Sequence, residues 1–218
     1  ILSDRILDLE ESQTIAMARK SRELIDSGID VISLSLGEPD FDTPDFIKDA
    51  AKKAIDNNFS HYTPVPGLNS LRDAISVKFK RDNKLDFAAD QIVASTGAKQ
   101  SLAQLLMAIV NPGDEIIVPA PYWVSYFQMV KMAEGTPIVI EATVDADFKV
   151  TAEQVEKAIT SKTKAFLFST PCNPTGSVYS KNELAKLVKV FEKYPNIIII
   201  SDEIYEHINF MGEHISIG

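Results

Sequence analysis

Apolar residues along this chain fall into two alternating patterns. Four short runs are almost continuously apolar: residues 115–118, 137–141, 165–169 and the four consecutive isoleucines at 197–200. A strand covered on one face would alternate, so unbroken runs of this length predict strands buried on both faces. Between them the spacing becomes helical. Leu68, Leu71, Ile75 and Phe79 mark one amphipathic face that runs to about Asn83, and residues 15–27, 98–110 and 125–133 read the same way. Gly28 closes the first of these. Thr43-Pro44-Asp45 predicts a helix start with a capping hydroxyl and proline in the first turn, running to about Asn57. Thr151-x-x-Gln154 and Ser180-x-x-Glu183 are capping boxes that open two further helices, each feeding one of the last two strands. Shorter strands are expected at 31–36 and 91–95. Strand-helix alternation of this kind predicts an α/β fold of three layers, α/β/α, around a mostly parallel sheet.

Composition narrows the class of partner. With 22 Lys plus Arg against 31 Asp plus Glu, the net charge of −9 disfavours nucleic acid and anionic membrane. A single cysteine cannot form an internal disulfide, no apolar stretch is long enough to span a bilayer, and no charged-then-apolar leader opens the chain. A soluble, cytoplasmic protein is the expectation. His61, His207 and His214 lack the spacing of metal ligands and are read as surface or structural; no metal is expected.

Chemistry-bearing residues collect where the predicted strands end. The isoleucine run delivers Asp202, then Tyr205, to a carboxyl end, where open α/β sheets place their ligands. The run at 165–169 leads into Thr170-Pro171-Cys172-Asn173-Pro174-Thr175-Gly176, which holds an amide between two prolines. Residues 92–95 run into Thr96-Gly97-Ala98-Lys99-Gln100, a glycine turn before a helix whose first amides are free to bind an anion. Lys99 in that first turn opposes the helix dipole, a local cost that favours a functional role. Pro121-Tyr122-Trp123 follows 115–118 and carries the only tryptophan. Cys172 has no base beside it in sequence and is read as packing.

Asn-Pro-Thr-Gly at 173–176 followed by Ser-Asp-Glu-Ile-Tyr at 201–205 resembles the pyridoxal phosphate (PLP)-dependent aminotransferases of fold type I, in the aspartate aminotransferase-like branch of class I. The resemblance covers nearly all of this chain but about half of the family's length. It implies that Asp202 pairs with the pyridine nitrogen of the cofactor, which stays protonated beside a buried anion. It further implies that Tyr205 and Asn173 bond the ring hydroxyl, that Trp123 stacks on the ring, and that Gly97, Ala98 and Lys99 form the phosphate loop. Tyr62, in His61-Tyr62-Thr63-Pro64, matches the tyrosine that reaches the cofactor phosphate of the neighbouring subunit, so a homodimer is implied. Gly37, in Gly37-Glu38-Pro39-Asp40, matches the glycine at the substrate carboxylate; Lys99, Trp123 and Asn173 are also expected at the substrate.

By the same resemblance, residues 1–40 contribute to a small domain and 41–218 form the cofactor-binding large domain, incomplete at its C-terminus. No lysine here stands in a Ser-x-Ser-Lys context, so the Schiff-base lysine is expected beyond Gly218, and no catalytic residue proper is assigned in this chain. The chain alone is expected to be inactive. The implied activity is transfer of an amino group between an acidic L-amino acid and a 2-oxo acid. A β-lyase, an aromatic or aliphatic aminotransferase, or a non-enzymatic sensor domain of the same fold stand as alternatives.

Overall fold

The computed structural model describes residues 1–10, 12–34 and 37–218. Its centre is a parallel four-stranded sheet made of β1 (Glu115–Ala120), β2 (Thr136–Glu141), β3 (Thr163–Ser169) and β4 (Ile198–Asp202), in the order β2-β1-β3-β4. Side chains of a strand point alternately to opposite faces, and the core divides accordingly. Ile116, Val118, Ala165, Leu167 and Ile200 meet Leu102 and Leu106 of α5 (Ala98–Ile109) and Tyr126, Met129 and Val130 of α6 (Ser125–Met132). Ile117, Phe166 and Phe168 turn to the other face, against Val155 of α7 (Ala152–Ala158) and Leu184, Leu187 and Phe191 of α8 (Lys181–Phe191). Two apolar layers cover β1 and β3, which is why those sequences do not alternate; β2 and β4, at the two edges of the sheet, are covered only in part, and Val139 and Ile198 stay exposed, a correction to the expectation of four doubly buried strands.

Strand order places the site. From β1 the chain passes through α6 to β2 on one side. It then returns through α7 across the sheet to β3 on the other side, and on through α8 to β4. With crossovers of one hand, that reversal puts α6 and α7 on opposite faces and opens a crevice between the carboxyl ends of β1 and β3. The loops leaving those two ends carry Trp123 and Asn173.

Ahead of the sheet lie α1 (Asp4–Leu7), α2 (Gln13–Asp26), α3 (Asp45–Asp56) and α4 (Asn69–Lys78), the last extended by a π-helical turn, Phe79–Asn83. Three local expectations are corrected. α3 starts without a side-chain cap, and its N-cap position is Pro44, so the Thr43 hydroxyl is not used. Residues 31–34 form no strand, and Ser35 and Leu36, which complete that expectation, lie outside the described residues. Residues 91–95 form no ladder either. A short 3-10 turn, Ala89–Gln91, precedes an extended stretch whose Ala94 amide donates to the Pro66 carbonyl, 2.9 Å. Extended backbone becomes a strand only beside a neighbour that shares its hydrogen bonds. Among the described residues no helix is long and apolar enough to cross a membrane.

Both capping boxes form. Ser180 Oγ accepts from the Glu183 amide at 3.3 Å while Glu183 Oε2 accepts from the Ser180 amide at 2.7 Å, and Lys149 Nζ sits 2.9 Å from Glu183 Oε1. Burial pushes the Glu183 carboxyl up, but the Ser180 donors and Lys149 outweigh it and hold the group below its usual range. A carboxyl depressed in the folded state adds stability above its unfolded pKa and loses it as pH falls through the folded value. Ser180→Ala should therefore lower unfolding free energy by about 1 kcal/mol at neutral pH. Urea titrations should show the gap between variant and parent narrowing on the acid side of the carboxylate range; a gap that widens there would contradict this account.

Candidate active site

Gly97 stands at the N-cap of α5 with φ of +84°, in the left-handed region that disfavours a side chain, and a Cβ built there would meet nothing within 4 Å. The turn is held by its own loop, where the Thr96 amide donates to Gln100 Oε1 at 2.6 Å. Behind it come the first-turn amides of α5, which a helix cannot satisfy internally and which carry its positive dipole end. Such a terminus suits a phosphate group.

Lys99 in that turn is exposed, and its Nζ lies 4.8 Å from the centre of the Trp123 ring. A cation over an indole face is held without a carboxylate partner, so its charge stays available to a ligand. Trp123, half-buried in the loop after β1, meets Tyr126 edge-on with ring centres 5.6 Å apart. From the first turn of α6, Tyr126 Oη donates to Asp202 Oδ2 at 2.6 Å. Lys99, Trp123, Tyr126 and Asp202 thus form one contact series from the α5 terminus to the end of β4.

Asp202 is only 8% exposed. It shares a sheet face with Ile200, two residues back, and so points into the layer occupied by α5 and α6. Its Oδ1 accepts from the Ile204 amide at 3.2 Å, and its backbone carbonyl accepts from the Thr170 amide at 3.1 Å, which ties the β3 and β4 exits together. Beyond Thr170 a tight loop is closed by Cys172 N to Ser177 O, 2.9 Å, and Gly176 N to Cys172 O, 2.7 Å. That loop presents Asn173, whose Nδ2 donates to Tyr205 Oη at 3.3 Å. The Cys172 thiol contacts the Pro121 carbonyl at 3.5 Å.

Burial pushes the Tyr126 hydroxyl up, and the adjacent Asp202 carboxylate adds to the shift, so this phenol remains a donor throughout the physiological range. Tyr179, whose oxygen accepts from the Val150 amide at 3.0 Å, is pushed up to about 12, chiefly by burial.

Of the residues singled out in sequence, the structure brings together Lys99, Trp123 and Asp202 through Tyr126, and separately Asn173 with Tyr205. Gly37 and Tyr62 stand apart on the surface, and Tyr62 is fully exposed. His61 and His207 are exposed, whereas His214 is half-buried, its side chain 7% exposed with Nε2 2.8 Å from Glu203 Oε2. Tyr126 is the site residue that motif reading missed. Its signal was there in outline, an aromatic three residues after Trp123 at a helix start, but its polar partner lies 76 positions away.

The donor set suits a flat, anionic, heteroaromatic group. It combines helix-terminal amides for a phosphate, an aromatic face, a buried carboxylate for a ring nitrogen, and an amide-phenol pair for a ring hydroxyl. Pyridoxal phosphate has those features.

Comparison with known proteins agrees with this chemistry. An aspartate/prephenate aminotransferase of Cereibacter sphaeroides is 51% identical over 209 residues, covering 96% of this chain and 52% of that protein. A probable aspartate/prephenate aminotransferase of Rickettsia bellii is 49% identical over 212 residues, covering 97% of this chain and 53% of the relative. The aspartate aminotransferase of Thermus thermophilus, solved with maleate, superposes with a TM-score of 0.97 at 41% identity, over all of this chain and 57% of that one. The chain spans about half the length of the curated relatives it matches. The family described as Aminotransferase class I and II matches residues 29–216, and the chain belongs to that family.

Proposed function

We propose that the protein carrying this chain is a PLP-dependent aminotransferase that moves an amino group between an acidic L-amino acid and a 2-oxo acid. The observation that carries the acidic preference is Lys99, a cation on the Trp123 face at the mouth of the site. A substrate with a second carboxylate finds a counter-charge there that an aromatic or aliphatic amino acid cannot use. The names of the relatives make aspartate and prephenate the first pair to assay.

Pyridoxal phosphate, when bound, supplies an electron sink for the bond broken at the substrate α-carbon. The chain's own residues hold and tune it. The α5 terminus, with Gly97 and Ala98, anchors the phosphate; Trp123 covers one ring face; Asn173 and Tyr205 bond the ring hydroxyl; Asp202 faces the ring nitrogen. Gly37 is proposed for the substrate α-carboxylate. Tyr62, projecting from the surface, is proposed to reach the phosphate of a second subunit in a homodimer. The reading applies to a protein of the relatives' length, for which we propose a Schiff-base lysine in the Ser-x-Ser-Lys context that residues 1–218 do not contain.

Lys99→Ala in that protein should reduce kcat/KM for aspartate and glutamate by about 2–3 kcal/mol, roughly 30- to 150-fold, and leave phenylalanine nearly unchanged. An equal fall for all three substrates would assign Lys99 to the cofactor or to folding and defeat the acidic preference.

Asp202→Ala should lower turnover on the order of a hundredfold or more while much of the cofactor stays bound, because the phosphate anchor survives and the stabiliser of developing charge does not. Turnover and cofactor content measured on one preparation decide this. Near-normal turnover would refute the role of Asp202.

A further inference from the structure

The Tyr126–Asp202 contact has a chemical consequence beyond holding α6 to β4. Tyr126 is 1% exposed and Asp202 8% exposed, and their hydrogen bond is 2.6 Å long. A carboxylate buried this deeply is costly unless its oxygens are supplied with donors. Two donors are fixed by the fold: the phenol on Oδ2 and the Ile204 amide on Oδ1. Both are set by their surroundings. Tyr126 is locked edge-on against Trp123 in the apolar layer, and Ile204 sits in the turn directly after β4.

We propose that Tyr126 is a positioning residue that sets where the proton shared by Asp202 and the ring nitrogen of bound pyridoxal phosphate resides. This rests on the cofactor reading given above. A buried acid facing a pyridine has two arrangements that differ by one proton: carboxylate with pyridinium, or carboxylic acid with neutral pyridine. A phenol donating to the carboxylate stabilises the first arrangement and does little for the second. A hydrogen bond to a charged acceptor in a dry site is worth roughly ten- to a hundredfold in such a ratio. The electron sink is strong only with the proton on nitrogen, so Tyr126 acts on the reaction through Asp202 without touching substrate. Its raised hydroxyl keeps it a donor over the working range.

The test uses the full-length holoenzyme loaded with pyridoxal phosphate isotopically labelled at the ring nitrogen, and reads that nitrogen's chemical shift at neutral pH. The parent should show a protonated nitrogen. Tyr126→Phe keeps the ring and removes only the donor; its nitrogen should move towards the unprotonated value, with the ratio of the two forms changed at least tenfold. A ring-fluorinated tyrosine introduced at position 126 keeps the donor and should keep the nitrogen protonated; if the phenylalanine variant does not fold, a series of analogues of rising fluorine content decides, because the protonated fraction should rise with donor strength and a flat series would overturn the inference. An unchanged shift in Tyr126→Phe, or a lost proton in the fluorinated protein, would overturn the inference while leaving the aminotransferase reading intact. A parent that takes up no pyridoxal phosphate would overturn both.

Discussion

The central strands of the sheet, β1 and β3, are buried on both faces, and at the end of β4 the same apolar layer encloses a carboxylate. A polar residue that turns into such an apolar layer has no solvent to which it can escape. When β4 ends in Asp202, the alternation that sends Ile200 into the α5/α6 layer sends the carboxylate there as well. The fold must then provide donors, and it does so with Tyr126 and the Ile204 amide. A residue expensive to bury is thereby held ionised at one fixed place. That cost is met by partners which also fix its direction.

Topology supplies the rest of the site with few additional devices. The reversal of strand order between β1 and β3 leaves a crevice at their carboxyl ends, and the loops entering it come from three different strands and one helix terminus. Each contributes different groups. The α5 end offers amides and Lys99, the β1 exit an indole, the β3 exit an amide held in a tight turn, and the β4 exit a carboxylate and a phenol. The Thr170 amide on the Asp202 carbonyl binds the last two exits together, so Asn173 and Tyr205 are placed relative to Asp202 by backbone rather than by flexible side chains.

Much of this was legible in the sequence because the governing signals were local. Apolar runs at 115–118, 137–141, 165–169 and 197–200 mark the four strands, doubly buried at β1 and β3 but only partly buried at β2 and β4, and the Ser180–Glu183 and Thr151–Gln154 pairs mark helix starts within three residues of themselves. Where partners are distant the reading failed. Residues 91–95 have strand composition but no neighbouring ladder, and Thr43 could cap a helix that instead begins at Pro44 without it. Tyr126 looked like any apolar-face aromatic, since nothing near it in sequence identifies Asp202 as the acceptor of its hydroxyl. Chemical partnership across a core becomes visible only once strand order and face are known.

These residues are proposed to serve amino-group transfer from an acidic amino acid through bound pyridoxal phosphate. The most direct measurement is a single half-reaction: purified holoenzyme of full length mixed with aspartate in the absence of any acceptor acid, with the cofactor absorbance and released 2-oxo acid followed together. The visible absorbance band should disappear as 2-oxo acid appears in about equimolar amount to the sites, and adding a 2-oxo acid should restore it. A band that aspartate leaves unchanged, or one that changes with no 2-oxo acid released, would contradict it.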